Sequence, residues 1–288
     1  MADGSTTRKR GRTGYLLVLP GAVWLLLFFA FPFYSLIATS LYDPAGSDFR
    51  GYEMTYAFGN YVDAVGDYWQ PMVRSLVYGG LATLFCLVLG YTLAYAIAFK
   101  SGRWKTLLLV LVIAPFFTSF LVRTLSWKLL LADDGFIVDS LQFLQLLGDD
   151  GRLLATPVAV VAGLTYNFLP FMVLPLFASL DKIDYRLIEA SGDLYANPFT
   201  AFWKVTWPLS LPGVVSGTLL TFIPAVGDFI NAEILGNTNT RMIGNVIQTL
   251  FTDANDYPAA GALSVILMVL ILVMVLVYVR RAGTEELL

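Results

Sequence analysis

Residues 154–180 read LATPVAVVAGLTYNFLPFMVLPLFASL, and none of them carries a charge. A helix crosses the hydrocarbon of a bilayer with about 20 residues, and only a helix or a closed barrel satisfies its backbone N–H and C=O groups there. The stretch is long enough to cross and much longer than a buried strand. It therefore predicts a transmembrane helix from Leu154 to Leu180.

Five other stretches of the chain have the same character, apolar for about the length that a bilayer requires. They run from Tyr15 to Thr39, from Ser75 to Phe99, from Thr106 to Leu131, from Leu211 to Ile230 and from Ala259 to Val279. Of all 288 residues, 57% are hydrophobic and 14% are charged, whereas an ordinary soluble domain carries about 25% charged residues. We therefore predict an all-α integral membrane protein with six transmembrane helices.

The first apolar stretch follows a basic segment with Arg8, Lys9, Arg10 and Arg12, as the core of a secretory signal would. However, the uncharged run from Thr13 to Tyr42 is too long for such a core, and no small-residue cleavage site is evident. We interpret this stretch as a membrane span that follows a basic tail.

Basic residues predict the orientation, because short loops rich in Lys and Arg stay on the cytoplasmic side. With the N-terminus inside, only six of the 18 basic residues remain for the outer side. The outer segments, about 40–72, 132–153 and 231–258, are rich instead in Asp and Glu. Both termini are therefore predicted to be cytoplasmic. The chain then divides into a basic cytoplasmic tail, a six-helix domain and a C-terminal cytoplasmic tail, over residues 1–14, 15–280 and 281–288.

The residue inventory gives catalysis little support. The chain has no histidine, which removes the usual general base and the usual zinc ligand. Its single cysteine, Cys86, lies inside an apolar stretch, where a small buried hydrophobe is the simplest interpretation and no disulfide can form within the chain. No GxxxxGK[ST] phosphate loop occurs, so any ATP hydrolysis must come from a partner.

Between the fourth and fifth predicted spans, residues 181–212 read DKIDYRLIEASGDLYANPFTAFWKVTWPLSLP, which is too polar to cross a membrane. The periodicity of an amphipathic helix appears at Leu187, Ile188, Ser191, Leu194 and Tyr195. Asn197 followed by Pro198 is typical of the cap and first position of a second helix. Pro208 and Pro212 should break or kink that helix before the fifth span. The pattern predicts a helix pair on the cytoplasmic surface, and by itself it fits a helix that merely lies among the lipid headgroups equally well.

The segment EASGDLYANP, followed by FWKVTWPLSLPG, resembles the EAA loop of ATP-binding-cassette (ABC) importer permeases. In that family the first helix of the loop is a coupling helix, which inserts into a groove of a cytoplasmic ATPase subunit. The resemblance implies an ATPase-coupling role for Glu189, Ala190, Ser191, Asp193, Tyr195 and Pro208. The chain departs from the family pattern where Ser191 replaces the second Ala, Tyr195 the usual Gly, and Trp207 the Leu before Pro208. A bulky Tyr at the Gly position suggests altered helix packing or a matching change in the ATPase partner.

The resemblance covers most of the chain from Gly14 to the end of the sixth span and is strongest to the first permease subunit of spermidine/putrescine importers. It rests on the stretches GYLLVLPG at Gly14, LGYTLAYAIA at Leu89, APFFTSFLVRTLSW at Ala114, LPFMVLPLFASLDKID at Leu169, LTFIPAVGDFINAEILG at Leu220 and MIGNVIQTLF at Met242. Related permeases for other small solutes share much of this sequence, so a different small solute stays open.

This resemblance implies a multi-pass permease subunit of an ATP-driven importer in the cytoplasmic membrane, with a polyamine as the solute. Such a subunit catalyses no covalent reaction and needs no cofactor, metal or nucleic acid. It implies as partners two cytoplasmic ATP-binding subunits, a second permease subunit and an extracytoplasmic solute-binding protein, all assembled in the lipid bilayer. A secondary transporter or channel would also explain six spans, but not an EAA-like inner loop. An intramembrane enzyme would need a metal-ligand cluster, a Ser-Lys pair or a paired-aspartate motif, and none is present in the sequence.

The substrate path of such a permease should be lined by polar groups that are too costly to place in lipid. Asp228 and Glu233 follow the fifth predicted span in a stretch interrupted by Pro and Gly, and carboxylates suit a polycation. Aromatic faces suit it too, and Trp127, Phe222 and Phe229 are the candidates. The alternative is that Asp228 caps a helix end and Glu233 is simply solvated.

Arg123 and Lys128 lie toward the end of the third predicted span, where a cation is unwelcome beside a cationic substrate. We interpret them as ion-pair partners, headgroup anchors or contacts to an acidic binding protein. For Lys128, snorkelling toward the headgroups is the simpler explanation.

Overall fold

The computed structural model describes residues 10–47, 51–148 and 151–282. Within these ranges the regular secondary structure is helical, and the two β-bridges, Tyr42–Met54 and Ser47–Gly51, are isolated. The predicted all-α class is confirmed.

Thirteen α-helices are present in the described residues. In chain order they are α1 (Arg10–Leu25), α2 (Phe31–Thr39), α3 (Gly59–Tyr95), α4 (Lys105–Ile113), α5 (Phe120–Leu130), α6 (Phe136–Phe143), α7 (Pro157–Leu180), α8 (Tyr185–Asp193), α9 (Pro198–Ala201), α10 (Trp207–Val226), α11 (Ile230–Leu235), α12 (Ile243–Thr252) and α13 (Tyr257–Ala282).

By length and apolar composition, five described helical stretches could cross a membrane, or six if one bent pair counts as a span. The five are Leu17–Thr39, Gly59–Lys100, Pro198–Val226, Pro157–Leu180 and Tyr257–Arg281. The second begins at Gly59, well before the predicted Ser75, and its first part lies in the predicted outer segment. A kink at Tyr68 (φ −118°, ψ 18°) separates this part from the rest of the helix. The remaining four lie close to, or extend, predicted spans.

The third predicted span is not one straight helix. Gly102–Phe117 and Phe120–Leu130 meet at 94°. Thr118 and Ser119 between them are extended, with ψ of 153° and 138°, so the backbone leaves the helix for two residues. A bend of this kind within an apolar stretch makes either a broken span or a re-entrant loop, and such backbone is tolerated where protein covers it.

A turn of π-helix accommodates Pro208 within an apolar helix. The segment Phe202–Thr206 is a π turn in which the Trp207 N–H bonds to the Phe202 carbonyl, five residues back, immediately before Pro208. Widening the helix here relieves the clash that a proline ring makes with the carbonyl four residues earlier. Of the predicted break or kink at Pro208 and Pro212, the break is wrong, because Pro198–Val226 is one continuous helical stretch; the irregularity beside Pro208 is the π turn.

The chain forms two compact units, and the first consists of Met1–Asp67 and Leu250–Leu267. In its described part, Asn60 donates from Nδ2 to the Ser40 carbonyl (3.0 Å) and the Tyr42 carbonyl (2.9 Å). Ser40 and Tyr61 share a hydrogen bond of 2.6 Å between their hydroxyl oxygens. Nearly all described side chains of the stretch Leu17–Thr39 are exposed or half-buried, as lipid-facing residues would be.

The second unit consists of Tyr68–Thr249 and Met268–Leu288 and contains the main core. Helices α7 and α10 pack along each other at its centre. Their backbones approach closely, since a Cβ atom on Gly213 would lie 2.7 Å from the Pro175 carbonyl oxygen and 2.6 Å from the Ser179 Cβ. Small residues at such crossings are typical of helix pairs in membranes.

Much of the two predicted tails lies outside the described residues. Residues 1–9 and 283–288 belong to this part, and they include Arg8 and Lys9. The division into tail, six-helix domain and tail stays a prediction.

Candidate functional site

We call residues 181–212 the coupling segment. Polar contacts fix its first residues. Asp184 accepts a hydrogen bond from the Arg186 N–H (3.0 Å) and so caps α8. Asp181, one residue past α7, is ion-paired with Lys105 at the start of α4. The Lys105 ammonium also lies 5.3 Å from the centre of the Phe177 ring. These contacts attach the start of α8 to the ends of α4 and α7.

Most of the coupling residues implied by the resemblance are exposed. These are Glu189, Ala190, Asp193, Tyr195 and Pro208. Ser191 is the exception, since it is buried and its hydroxyl donates to the Ile188 carbonyl (2.7 Å). A Ser in place of the second Ala is therefore satisfied inside α8 and does not alter the exposed face.

Tyr195 occupies a backbone conformation that usually belongs to glycine. Its φ is 61°, in the left-handed region. The Ala196 N–H bonds to the Ser191 carbonyl (3.0 Å), and the Tyr195 N–H bonds to the Gly192 carbonyl (2.9 Å). This is the Schellman ending of a helix, whose left-handed residue is most often glycine. The Tyr195 side chain is 100% exposed, so the ring does not change the packing of α8 within the chain.

Asp228 lies between α10 and α11, two residues past the end of the fifth span. Its side chain is buried, and Oδ1 accepts hydrogen bonds from the backbone N–H of Asn231 (2.8 Å) and from its Nδ2 (3.2 Å). Burial raises the pKa of the Asp228 carboxyl above its ordinary value, and the hydrogen bonds from Asn231 partly oppose that rise. The backbone bond is the contact a helix cap makes, so the capping alternative describes part of what Asp228 does.

A chain of hydrogen bonds runs from Asp228 across three helices. Asn231 on α11 accepts at Oδ1 from Asn167 Nδ2 on α7 (3.0 Å). Asn167 Nδ2 also donates to the Thr124 hydroxyl on α5 (3.2 Å). We call Thr124, Asn167, Asn231 and Asp228 the buried polar chain. All four residues are buried.

Arg123 borders this chain, because it precedes Thr124 in the first turn of α5. It is buried, and its Nε and Nη1 have no hydrogen-bond partner. Its guanidinium carbon lies 5.1 Å from the centre of the Phe116 ring and 5.6 Å from that of Phe120. Headgroup anchoring therefore does not describe Arg123, whereas Lys128 is exposed.

The other path candidates do not belong to this chain. Glu233 is exposed and accepts a hydrogen bond from Asn245 Nδ2 (3.1 Å), which also donates to the Phe229 carbonyl (2.7 Å). Trp127 lines an apolar groove of about 600 Å³ on α3, α5 and α7. Phe222 is half-buried on α10. Of the predicted residues, only Asp228 belongs to the buried polar chain.

The sequence reasoning missed Asn167 and Asn231, which connect the chain. Asn167 is an amide inside an otherwise apolar span, and a polar residue there is itself a signal because lipid cannot satisfy it. In the described residues no cluster of three or more His, Cys, Asp or Glu side chains could hold a metal. The arrangement offers buried oxygen acceptors and a buried carboxylate, which can bind a cation or a hydrogen-bond donor.

The comparison with known sequences assigns the chain to a family. Residues 86–282 match the family described as "Binding-protein-dependent transport system inner membrane component". The spermidine/putrescine transport system permease protein PotB of Haemophilus influenzae is 37% identical over 258 residues, which cover 89% of this chain and 90% of that protein. PotB of Escherichia coli strain K12 is 36% identical over 258 residues, with 89% and 93% covered.

The fold also matches a solved transporter. A crystal structure of a bacterial ABC transporter involved in the import of the acidic polysaccharide alginate contains a chain with a TM-score of 0.75 and 19% identity, covering 96% of this chain and 97% of that one. At that identity the likeness shows the fold alone. The family match over most of the chain and the similarity to PotB along nearly its full length establish that this protein is homologous to ABC importer permeases and belongs to the family of binding-protein-dependent transport system inner membrane components.

Proposed function

We propose that this chain is the permease subunit of an ATP-driven importer whose substrate is a polyamine such as spermidine or putrescine. The observation that carries the proposal is the 37% identity to a spermidine/putrescine permease, because it covers 89% of this chain. The buried Asp228 carboxylate suits a polycation, whose lost hydration a fixed negative charge would replace.

The energy for transport comes from two cytoplasmic ATPase subunits, one of which docks on the coupling segment. Its exposed face carries Glu189, Asp193 and Tyr195, and the chain has no phosphate loop of its own. A second permease subunit and an extracytoplasmic solute-binding protein complete the importer. Because the ATPase subunits hydrolyse the ATP, this chain catalyses no covalent step. The alginate transporter has the same fold, and one fold can serve different solutes. A different small solute is therefore the second candidate substrate.

The orientation with both termini in the cytoplasm depends on the bent pair. If Gly102–Phe117 and Phe120–Leu130 together cross the bilayer, there are six crossings and the two ends lie on the same side. If the pair re-enters, there are five crossings and the ends lie on opposite sides. The excess of Lys and Arg in the predicted inner segments favours six crossings.

Uptake into proteoliposomes tests the proposed substrate. The full importer, with its ATPase, second permease and binding protein, is supplied with radiolabelled spermidine and ATP. We expect ATP-dependent accumulation that unlabelled putrescine reduces and that a neutral solute of similar length does not. The proposal is wrong if the assembled importer hydrolyses ATP when its binding protein is loaded with another solute, yet accumulates no polyamine. The pattern of competing solutes would then name the second candidate.

A further inference from the structure

Two charged side chains are buried in the part of the chain that the structure describes, and they have opposite signs. Arg123 is 9% exposed and Asp228 is 8% exposed. Neither takes part in the ion pairs formed within the described residues, which are Lys105–Asp181 and Arg152–Asp133. A buried charge without a counter-ion is strongly unfavourable, so each of the two charges requires a partner at some stage of the transport cycle.

Asp228 is one end of the buried polar chain, and Arg123 is the sequence neighbour of Thr124, the other end. Three hydrogen bonds of 3.2, 3.0 and 3.2 Å lead from the Thr124 hydroxyl through Asn167 and Asn231 to Asp228. The neutral members of the chain are amides and a hydroxyl; those of Asn231 stabilise the Asp228 carboxylate but do not neutralise it.

Arg123 is held by aromatic rings rather than by an anion. Phe116 and Phe120 provide the faces, at 5.1 and 5.6 Å from the guanidinium carbon, and ring faces attract a cation. The rings do not satisfy the N–H groups, since Nε and Nη1 remain without a partner. The guanidinium is therefore left with two donors that a carboxylate would accept.

The aromatic slot is divided by the bend of the third span. Phe116 belongs to the stretch Gly102–Phe117, whereas Phe120 and Arg123 belong to Phe120–Leu130, and the two stretches meet at 94°. A change in that angle would separate the two rings and release the guanidinium. Extended residues between two helices are suited to such a hinge.

On the Asp228 side, both hydrogen bonds from Asn231 end on Oδ1. Oδ2 is left without a hydrogen-bond partner among the described residues. A carboxylate in this arrangement can accept a guanidinium or an ammonium group without losing its contact with Asn231.

We propose that Arg123 is the internal counter-ion of Asp228 and that an ammonium group of the cationic substrate displaces it into the Phe116–Phe120 slot. The substrate and the Arg123 guanidinium thus alternate on one carboxylate, so that Asp228 is not left unpaired when the substrate departs. This inference rests on the proposed function in one respect, since it takes the substrate to be a cation.

Equilibrium binding of radiolabelled spermidine to the assembled importer, held in one state by vanadate, measures the competition. Removing the competitor by Arg123→Gln should tighten binding, by up to about tenfold if the pair is formed in nine of ten empty sites. Asp228→Asn should weaken binding, and Arg123→Gln should add nothing to it, because the two changes act on one interaction. Lys128→Gln, an exposed cation on the same helix, is the matched control and should leave binding unchanged.

A second measurement needs no substrate. Arg123→Asp and Asp228→Arg, made singly, place like charges in one buried region and should lower the amount of chain in the membrane. The double exchange restores opposite charges and should recover it. A double exchange no better than the worse single variant overturns the pair, even if spermidine proves not to be the substrate.

The binding experiment has its own contrary outcomes. Equal effects of Arg123→Gln in the wild-type and Asp228→Asn backgrounds would show that the residues do not compete and would overturn the proposal. Loss of the second permease from the purified complex on Arg123→Gln, and its retention on Arg123→Lys, would assign the guanidinium to a carboxylate of that partner and would overturn it too. If wild-type importer binds no polyamine, the proposed function fails while the charge exchange still decides the pair.

Discussion

Replacing Tyr195 with glycine should stabilise the end of α8 and at the same time weaken transport. The backbone part follows from the φ of 61°, a conformation that costs a side chain with a Cβ about 1–2 kcal/mol relative to the right-handed form. Glycine avoids that cost but loses more backbone entropy on ordering, roughly 0.5–1 kcal/mol. The net stabilisation is then about 0.5–1 kcal/mol, a two- to fivefold change in the local opening equilibrium.

Hydrogen exchange of the backbone amides reports this local equilibrium. The N–H groups of residue 195 and Ala196 close the Schellman ending on Gly192 and Ser191. Their exchange should slow about two- to fivefold in Tyr195→Gly, while amides in α7 should not change. Tyr195→Ala is the matched control, because it removes the ring but keeps the Cβ, and its amides should exchange as in the wild type.

Loss of the Tyr195 ring should affect the coupling of ATP hydrolysis to uptake. The Tyr195 ring is fully exposed and makes no contribution to packing within the chain, so a strained tyrosine there is explained by a contact outside it. If that contact is with the ATPase, Gly and Ala variants should lower uptake per ATP hydrolysed to a similar degree. Slower transport only in the Ala variant, or faster amide exchange in the Gly variant, would refute this reasoning.

Three further results are expected. Glu189→Lys should uncouple ATP hydrolysis from uptake while the amount of chain in the membrane stays normal, because a reversed charge disturbs a docked interface more than a solvated surface. Unchanged uptake would mean that α8 only lies among the lipid headgroups. Asp228→Asn keeps the capping hydrogen bond and should still reduce the rate of polyamine uptake about tenfold. Glu233→Gln, at an exposed carboxylate, should have little effect. Equal uptake by the two variants would remove Asp228 from the path. In a Cys86→Ala background, a cysteine at Lys182 should react with an impermeant thiol reagent only from the cytoplasmic side, and labelling from outside sealed cells contradicts the orientation.

The fold was predictable because its main signal is local. Uncharged runs of the length of a bilayer are readable residue by residue, and the predicted fourth span differs from Pro157–Leu180 by three residues at one end. What the sequence did not reveal depends on backbone geometry. The 94° bend in the third span requires two extended residues, Thr118 and Ser119, that interrupt no hydrophobic pattern.

Of the buried polar chain, the charged member could be picked out from the sequence and the neutral members could not. Asp228 was identified because a carboxylate beside an apolar span is rare, whereas Asn167 was missed because a single amide does not lower the apolar character of a span. The pairing of Asn167 with Thr124 and Asn231 is a tertiary contact across three helices, at sequence separations of 43 and 64. Helix periodicity contains no information about such contacts.

If this chain carries a polyamine, as proposed above, its difference in substrate from the alginate transporter has to arise in side chains, because the fold is common to both. A transporter that imports an acidic polysaccharide shares the architecture at a TM-score of 0.75. A polyanion would be repelled by Asp228 and attracted by Arg123, and a polycation the reverse. If both buried residues face the path, as proposed above, their relative positions would determine the charge that an entering solute meets. A hinge that moves Arg123 between its aromatic slot and Asp228 would therefore change the charge of the path without any change in the fold.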